Sequence, residues 1–351
     1  MSLYDSELYM EDVRYVAGLN LPWEKLRNKS ILLSGATGLL GSFLVDVLME
    51  RNVAGLNCEV HALGRNKEKA DARFSKYASD PHLVFIPYDV KRPFVRDDIG
   101  TVDYVLHLAS NTHPVQYATD PIGTITTNII GLQNMLDFAV EHHASRFAFA
   151  SSNEIYGENR GDTEFFDENY CGYINSNTLR AGYPESKRCG EALCQAYKIQ
   201  KGLDVVVPRF TRSYGPTMLM SDTKALSQFI KKGIAGEDIV LKSAGTQYYS
   251  YQYVADSVSG LLSVLLRGES GEAYNIAEEH SDLMLKDLAA IIAGINGKSV
   301  VFEIPDEVEA AGYSKATKAR LDGHKLQKLG WKPRYSINQG IARTIQILKQ
   351  I

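Results

Sequence analysis

A tyrosine and a lysine four residues apart, Tyr183 and Lys187, are the residues of this chain best suited to acid–base chemistry. On a helix this spacing places both side chains on one face. Tyrosine alone is a poor base because its unperturbed pKa is about 10, and a neighbouring ammonium group lowers that pKa by favouring the phenolate. Such a pair can take the proton of an alcohol while a hydride leaves the same carbon. The hydroxyl of Ser152 could hold the alcohol oxygen in place during that transfer.

A glycine-rich turn lies between a strand pattern and a helix pattern near the start of the chain. Residues 30–34 form an apolar run without alternation, which is typical of a buried parallel strand, and residues 43–49 have helical spacing. Gly35 permits a tight turn, Gly38 lets the backbone approach a pyrophosphate, and Gly41 lets the helix pack on the strand. This order of strand, glycine turn and helix predicts a dinucleotide-binding site.

Composition excludes several classes of function. The formal net charge of −4 offers no basic excess to neutralise a nucleic acid backbone. No apolar stretch approaches the ~20 residues that span a membrane, and the first residues do not resemble a signal peptide. The four cysteines form no C-x-x-C pair and no metal-ligand spacing with histidine, so we expect reduced thiols and no metal site. The chain is therefore predicted to be cytoplasmic, with neither nucleic acid nor membrane as a partner.

Strand and helix patterns alternate through the first two thirds of the chain. This alternation predicts an α/β fold, a doubly wound parallel sheet of the Rossmann type with a second, smaller substrate-binding domain. The predicted strands after the first are 59–63, 83–87, 104–108, 146–150 and 204–208. The predicted units are an N-terminal extension at 1–29, a dinucleotide-binding domain at 30–211 to which 240–268 return, and a substrate-binding domain at 212–239 and 269–351.

Two residues near the predicted strand ends bear on the choice of dinucleotide. Arg65 follows the second strand, where a basic residue would accommodate the 2′-phosphate of NADP and an acidic one would favour NAD. Arg65 could equally lie over the adenine ring or in solvent. Asp89 follows the third strand and could accept a hydrogen bond from the adenine amino group, or it could be an exposed turn residue. The small side chains of residues 108–110 would let a cofactor lie close to the backbone.

Together, residues 35–41, Asp89, the His107-Leu108-Ala109 run, Ser152 and the Tyr183–Lys187 pair resemble the extended short-chain dehydrogenase/reductase family, whose members modify nucleotide-linked sugars. The resemblance covers nearly the whole chain from residue 30. It implies bound NAD, with NADP possible, a nucleotide-diphosphate sugar as substrate, and a homodimer formed by helices near 124–141 and 184–201. The cofactor-binding residues that it implies are Gly35, Thr37, Gly38, Leu39, Leu40, Gly41, Arg65, Asp89, Val90, Leu108, Ala109, Ser110, Asn128, Tyr183 and Lys187.

The segment after the fifth strand differs between family members that catalyse different reactions. On a continuing strand, Ser152 and Glu154 would share a face. UDP-glucuronate decarboxylases have a sequence similar to Thr-Ser-Glu in this segment. The dTDP-glucose 4,6-dehydratases have a sequence similar to Thr-Asp-Glu, in which the aspartate acts as the acid. Asn153 cannot donate a proton as a carboxylic acid does. The resemblance therefore favours decarboxylase-like chemistry through oxidation at the sugar C4, with Glu154 assisting.

Other interpretations of the same residues stay open. They include a 4,6-dehydratase, a 4-epimerase and a non-catalytic nucleotide sensor that kept the fold. Glu154 could also be a loop carboxylate that caps a backbone amide.

Two positions depart from the decarboxylase pattern near the expected diphosphate. Tyr249 stands where decarboxylases carry an arginine, which would remove a strong phosphate contact. Residues 211–217, which include Arg212, read Thr-Arg-Ser-Tyr-Gly-Pro-Thr where decarboxylases carry Phe-Asn-Thr-Tyr-Gly-Pro-Arg. Arg212 could restore the positive charge, and Arg209 or Arg320 could help, although each could also be a surface ion pair. The nucleotide base and the sugar of the substrate therefore stay open. The predicted substrate-binding residues are Asn153, Tyr117, Arg180, Arg212, Tyr249 and Arg320.

Overall fold

The computed structural model describes residues 2–96, 98–112, 114–303 and 317–351. Its strands are β1 Ser30–Ser34, β2 Glu59–Gly64, β3 Leu83–Pro87, β4 Tyr104–His107, β5 Arg146–Phe149, β6 Ser151–Ser152, β7 Val205–Phe210, β8 Arg212–Tyr214, β9 Ile239–Leu241, β10 Tyr248–Tyr253, β11 Ala273–Ile276, β12 Asp282–Met284, β13 Val300–Phe302 and β14 Lys318–Ala319. Its helices are α1 Glu7–Ala17, α2 Leu39–Val53, α3 Lys67–Arg73, α4 Pro114–Thr119, α5 Pro121–Glu141, α6 Gly182–Lys201, α7 Ala225–Ala235, α8 Val254–Arg267, α9 Leu285–Ile295, α10 His324–Gln327 and α11 Ile337–Gln350.

Eight of the described strands form one large parallel sheet in the order β11-β7-β5-β4-β1-β2-β3, with β6 beside β7. The predicted doubly wound sheet is therefore confirmed. The strand order reverses between β1 and β4, and ligands of such sheets bind in the crevice at the carboxyl ends of the strands flanking this point.

Helices cover both faces of the large sheet. Alternate residues of β1 point to opposite faces, so Ile31 and Leu33 belong to one buried cluster and Leu32 to the other. Helices α1, α2 and α8 pack on the first face, and α5 and α6 pack on the second. Among the described helices, none combines the length and the apolar character needed to cross a bilayer.

A smaller group of elements lies beyond β7. Strand β10 pairs with β8, β12 and β14, and β9 pairs with β13. Helices α7, α9 and α11 pack against one another beside these strands. Strand β11, which lies within the segment 269–351 predicted for the substrate-binding domain, pairs in parallel with β7 at the edge of the large sheet. Tyr274 and Ile276 of β11 are buried, and the predicted domain boundaries stay predictions.

The N-terminal helix α1 is tied to the rest of the molecule through a buried carboxylate. Asp12 is fully buried and accepts hydrogen bonds from the hydroxyls of Tyr253 and Tyr335, each at 2.6 Å. Arg343 of α11 lies 2.8 Å from the same carboxylate. This contact joins the first helix, strand β10 and the last helix.

Asp256, near the start of α8, makes the stability of the fold depend on pH. Its carboxylate accepts hydrogen bonds from the backbone N–H groups of Arg334 and Tyr335, at 2.8 and 2.9 Å. Burial raises the pKa of Asp256 to about 7. Since an unfolded aspartate has a pKa of about 3.9, the native chain binds more protons than the unfolded chain between these two values. This contribution to stability is complete below about pH 4 and is lost as the pH rises through about 7.

We therefore expect Asp256→Asn to flatten the fall in unfolding free energy between about pH 4 and about pH 7, as measured by urea denaturation. The variant itself is expected to be less stable, because an amide offers only one acceptor to two backbone donors. Asp71→Asn, at an exposed aspartate, is the control and should leave the slope unchanged. An unchanged slope in Asp256→Asn would contradict the raised pKa.

Candidate active site

The glycine turn after β1 can pack closely against the neighbouring backbone only because it lacks side chains. Gly35 has φ = 75°, and a Cβ placed there would lie 2.7 Å from the backbone nitrogen of Ala109. A Cβ on Gly41 would collide with the carbonyl oxygen of Gly35. Gly38 precedes α2, whose first backbone N–H groups, beginning at Leu39 and Leu40, have no partner within the helix. Such a helix start suits the negative charge of a pyrophosphate, so these residues fit a dinucleotide.

The other predicted cofactor residues lie at the same edge of the sheet. Arg65 is exposed just after β2, and Val90 is buried after β3, against Gly131 of α5. The carboxylate of Asp89 accepts a hydrogen bond from the backbone N–H of Lys91 at 3.1 Å, which is the contact of a turn residue. Half-buried positions are Thr37 before α2 and the run Leu108, Ala109 and Ser110 after β4. Their roles toward a cofactor stay predictions.

Tyr183 and Lys187 lie one helical turn apart at the start of α6, as their spacing predicts. Both are buried, with 7% and 2% of their surface exposed. The ammonium of Lys187 donates to the carbonyl oxygen of Ala150 at 2.8 Å and lies 5.9 Å from the centre of the Tyr183 ring. Burial lowers the pKa of Lys187 to about 7. The lysine is thus held within reach of the tyrosine ring but is hydrogen-bonded to the backbone.

The phenol of Tyr183 does not have the lowered pKa that we expected from its lysine. Burial, followed by the nearby charge of Glu154, raises the pKa of Tyr183 well above its usual value. Hydrogen bonds with Ser152 and Ser110 and the charge of Arg180 act in the opposite direction without cancelling the rise. The role of Lys187 in lowering the pKa of Tyr183 stays a prediction.

The strand that carries Ser152 does not continue to Glu154. Strand β6 ends at Ser152, and residues Asn153–Tyr156 form a turn of 3₁₀-helix. The Ser152 hydroxyl accepts a hydrogen bond from the backbone N–H of Glu154 at 3.2 Å and so caps this turn. Our argument from a continuing strand was wrong, yet the turn still keeps both side chains next to Tyr183. Asn153 is buried in the same turn.

An arginine and a second tyrosine complete the surroundings of Tyr183. The Nη2 atom of Arg180 lies 2.8 Å from each carboxylate oxygen of Glu154. The Arg180 guanidinium stands 5.0 Å above the ring of Tyr117, which stacks on Tyr183 at 4.9 Å between ring centres. The sequence singled out Arg180 and Tyr117 only through a resemblance. Nothing in their spacing predicts this stack of Arg180, Tyr117 and Tyr183, because Tyr117 lies on α4, far away in the sequence.

A buried chain of hydrogen bonds fixes the first turn of α6 on α5. The Ser110 hydroxyl donates to the side-chain oxygen of Asn128 at 2.7 Å. The Asn128 amide donates to the Ser186 hydroxyl at 2.9 Å, and Ser186 donates to the backbone oxygen of Tyr183 at 2.8 Å. Sequence reasoning missed Ser186. This series of hydrogen bonds fixes the backbone of Tyr183. Ser110 also forms a hydrogen bond with the phenol of Tyr183.

The two departures from the decarboxylase pattern lie against each other. Strand β8 pairs with β10, and the Arg212 guanidinium carbon lies 3.4 Å from the centre of the Tyr249 ring. Arg212 thus brings a positive charge to the position of Tyr249.

The other two candidate arginines are already paired with carboxylates. Arg209 is buried and binds both oxygens of Glu191, at 3.0 and 2.6 Å, so it supports the fold. Arg320 contacts Asp282 at 2.9 Å and Glu164 at 2.5 Å.

Fold, glycine turn and buried tyrosine together define a Rossmann-type dinucleotide-binding enzyme. The model of the NAD dependent epimerase/dehydratase family matches residues 31–277, and the chain belongs to that family. The predicted resemblance to the extended short-chain dehydrogenase/reductase family is thereby confirmed, and the cofactor is NAD.

Named relatives and solved structures agree with this assignment. UDP-glucuronic acid decarboxylase 1 of Xenopus tropicalis is 32% identical over 324 residues, which cover 92% of this chain and 72% of the relative. UDP-glucuronic acid decarboxylase 5 of Arabidopsis thaliana is 30% identical, and the match covers 90% of this chain and 87% of the relative. The crystal structure of a dTDP-glucose 4,6-dehydratase from Streptomyces venezuelae with NAD bound is 25% identical, with a TM-score of 0.78, and the match covers 92% of this chain and 97% of that chain.

Proposed function

We propose that the protein removes carbon dioxide from a nucleotide-linked sugar acid of the UDP-glucuronate type, after transient oxidation of the sugar C4. The observation that carries the proposal is the Glu154 carboxylate, held by Arg180 beside Tyr183 and Ser152. The names of the relatives in Xenopus tropicalis and Arabidopsis thaliana support the same substrate. Under this proposal the enzyme is a lyase.

Tyr183 and Ser152 carry the acid–base part of the proposed reaction. Ser152 holds the C4 hydroxyl, and Tyr183 as phenolate takes its proton when C4 is oxidised. NAD, when bound, supplies the acceptor for the C4 hydride and later returns it. Tyr183 as phenol then gives a proton back to the C4 oxygen, and its raised pKa favours this form. One tyrosine therefore serves both directions of proton transfer.

The bond broken in the middle step joins C5 to the carboxylate carbon. With a ketone at C4 the substrate is a β-keto acid, so the electron pair of that bond moves toward the C4 oxygen as carbon dioxide leaves. A proton then adds to C5. We assign Glu154 to assist at this stage, because it is the carboxylate beside Tyr183. Lys187 is proposed to hold the nicotinamide ribose, and the Gly35–Gly41 turn the pyrophosphate.

Two other outcomes start from the same oxidised sugar. The likeness to a solved dTDP-glucose 4,6-dehydratase favours dehydration as a second candidate. Asn153 weighs against it, because an amide cannot act as the acid for loss of water. A 4-epimerase, which would make the protein an isomerase, needs no carboxylate such as Glu154 at all.

The test is to incubate the purified protein with a panel of nucleotide sugars and to follow the products by NMR. Loss of carbon dioxide from a glucuronate conjugate supports the proposal. A stable 4-keto-6-deoxy sugar would select dehydration, and an inverted C4 would select epimerisation. No turnover of any glucuronate conjugate would overturn the proposal.

We also propose a homodimer that is formed through α5 and α6. These helices pack side by side and expose large apolar side chains, a pattern typical of an interface. The exposed residues are Ile122, Ile125 and Ile130 on α5, Leu179 just before α6, and Ile199 on α6.

Ile122→Glu is expected to raise the dissociation constant of this dimer by roughly tenfold to hundredfold, since burial of an isoleucine is worth about 1.5–3 kcal/mol. Light scattering across a dilution series would measure the shift. Val53→Glu, at an apolar residue that is 85% exposed on α2, is the matched control and should leave the mass unchanged. A wild-type protein that is monomeric at every concentration would contradict the proposed dimer.

A cytoplasmic location completes the proposal. All four cysteines are free, and two of them, Cys171 and Cys189, are exposed. Exposed free thiols are typical of proteins that stay in a reducing compartment. Fractionation of the producing cells would test this location.

A further inference from the structure

Glu191 binds the residue that directly precedes Ser152. It lies on α6 one helical turn after Lys187 and so continues the face of the helix that carries the proposed catalytic residues. The Ser151 hydroxyl donates to Oε1 of Glu191 at 2.5 Å. The carbonyl oxygen of the residue before Ser151 accepts a hydrogen bond from Lys187 at 2.8 Å. The two residues that lead into Ser152 are therefore both bound to α6.

Arg209 holds the Glu191 carboxylate in this position. Its Nε and Nη2 atoms donate to the two carboxylate oxygens at 3.0 and 2.6 Å, which is a bidentate contact. Such a contact fixes the orientation of both groups as well as their distance. Arg209 lies on β7 directly opposite Ser151 in the register of the sheet. Both side chains are largely buried, with 10% of Arg209 and 16% of Glu191 exposed.

The remaining terminal nitrogen of Arg209 reaches the other end of the same segment. Its Nη1 atom donates to the hydroxyl of Tyr156 at 2.9 Å and to the backbone oxygen of Glu168 at 2.7 Å. Tyr156 is the last residue of the 3₁₀ turn that carries Glu154. Arg209 thus holds the polypeptide on both sides of Ser152 and Glu154, on the first side through its carboxylate partner.

We propose that the Glu191–Arg209 pair positions Ser152 for proton transfer at the sugar C4, beyond its support of the fold. It acts without contact to the substrate, through the hydrogen bonds at the two ends of segment 151–156. This inference rests on the proposed function. A displacement of about 1 Å in a reacting group can lower a rate by about hundredfold. We therefore expect loss of the pair to lower kcat rather than to weaken the binding of the nucleotide sugar.

Ser151→Ala tests this proposal with the least disturbance to the fold. Alanine lacks the hydroxyl that binds Glu191, while the carboxylate keeps both of its bonds from Arg209. We expect kcat of the NAD-loaded protein with UDP-glucuronate to fall by about tenfold or more, the equivalent of one hydrogen bond to a charged group. KM should change by less than about threefold. A kcat within about twofold of the wild type would overturn the proposal.

A double variant separates positioning from stability. Glu191→Gln should lower kcat by about hundredfold and also the thermal midpoint, because Arg209 then lacks its counterion. Glu191→Leu combined with Arg209→Met removes both charges and should regain most of the thermal midpoint. Its kcat should stay low, since Ser151 and Tyr156 have each lost a hydrogen-bond partner. If kcat recovered together with the thermal midpoint, the pair would only support the fold and the proposal would fall.

Arg146→Met is the matched control. Arg146 donates to Asp204 through Nε and Nη2, at 2.9 and 2.7 Å, and 16% of its side chain is exposed. It is the first residue of β5, so this ion pair lies at the end of the sheet opposite to the candidate site. The variant should lose thermal stability and keep kcat within about twofold. A fall in kcat equal to that of Glu191→Gln would show that loss of any such pair lowers activity, which would overturn the proposal.

The wild-type protein keeps this inference apart from the proposed function. Turnover of UDP-glucuronate by the wild type, with kcat unchanged in Ser151→Ala, would overturn the positioning role alone. Absence of wild-type turnover would overturn the proposed function and this inference with it.

Discussion

Tyr183→Phe is expected to lower kcat by about 10²- to 10⁴-fold, the range that a positioned acid–base group contributes. The phenylalanine ring can keep the stack on Tyr117, so only the reacting oxygen is lost. Ser110 keeps its bond to Asn128, which leaves the hydrogen-bond chain behind the ring intact. We therefore expect the loss in kcat without a comparable loss of NAD affinity. Product formation by NMR and NAD binding by calorimetry measure the two quantities.

A second tyrosine on the same helix provides the control for Tyr183→Phe. Tyr197 donates its hydroxyl to Asp137 at 2.5 Å on α5 and lies more than three turns along α6 from Tyr183. Tyr197→Phe removes an equivalent hydroxyl without touching the proposed chemistry. If Tyr183→Phe kept activity within tenfold of the control, Tyr183 would not be the proton-transfer group. The non-catalytic sensor would then regain its place among the hypotheses.

The fold was predictable because its signals are local. The apolar run of β1 and the glycines after it fix a strand, a turn and a helix within a dozen residues. Parallel strands buried on both faces have continuous apolar sequences. The positions of β1–β5 and β7 could therefore be predicted within two residues, whereas β11 was not predicted. The cofactor and family class followed from these local patterns in combination.

The chemistry of the candidate site could be predicted only in part, because it depends on contacts between distant segments. The spacing of Tyr183 and Lys187 located both residues but could not reveal that Lys187 donates to Ala150. No sequence rule signals that the strand stops at Ser152 and turns. The pairing of Glu154 with Arg180 and the stacking of Tyr117 arise only when three separate segments meet.

The contacts of the N-terminal extension are the clearest case of structure that could not be predicted from the sequence. Asp46 of α2 is fully buried and pairs with Arg73 of α3. The hydroxyl of Tyr4 donates to Asp46 at 3.0 Å, and Tyr9 donates to its other oxygen. Arg73 in turn donates to both tyrosine hydroxyls, at 2.6 and 2.8 Å. The extension thus completes a charged hydrogen-bond network with α2, the helix that follows the glycine turn.

Asp46→Ala is expected to lower the free energy of unfolding by about 3–5 kcal/mol, because it leaves the charge of Arg73 buried without its counterion. Combining Asp46→Leu with Arg73→Met should recover most of this loss, since both charges are then absent. Asp71→Ala, in the exposed Lys67–Asp71 pair of α3, is the control and should cost at most about 0.5 kcal/mol. Urea denaturation followed by circular dichroism measures all three. A loss in Asp46→Ala no larger than that in the control would show that the extension is held by apolar contacts alone.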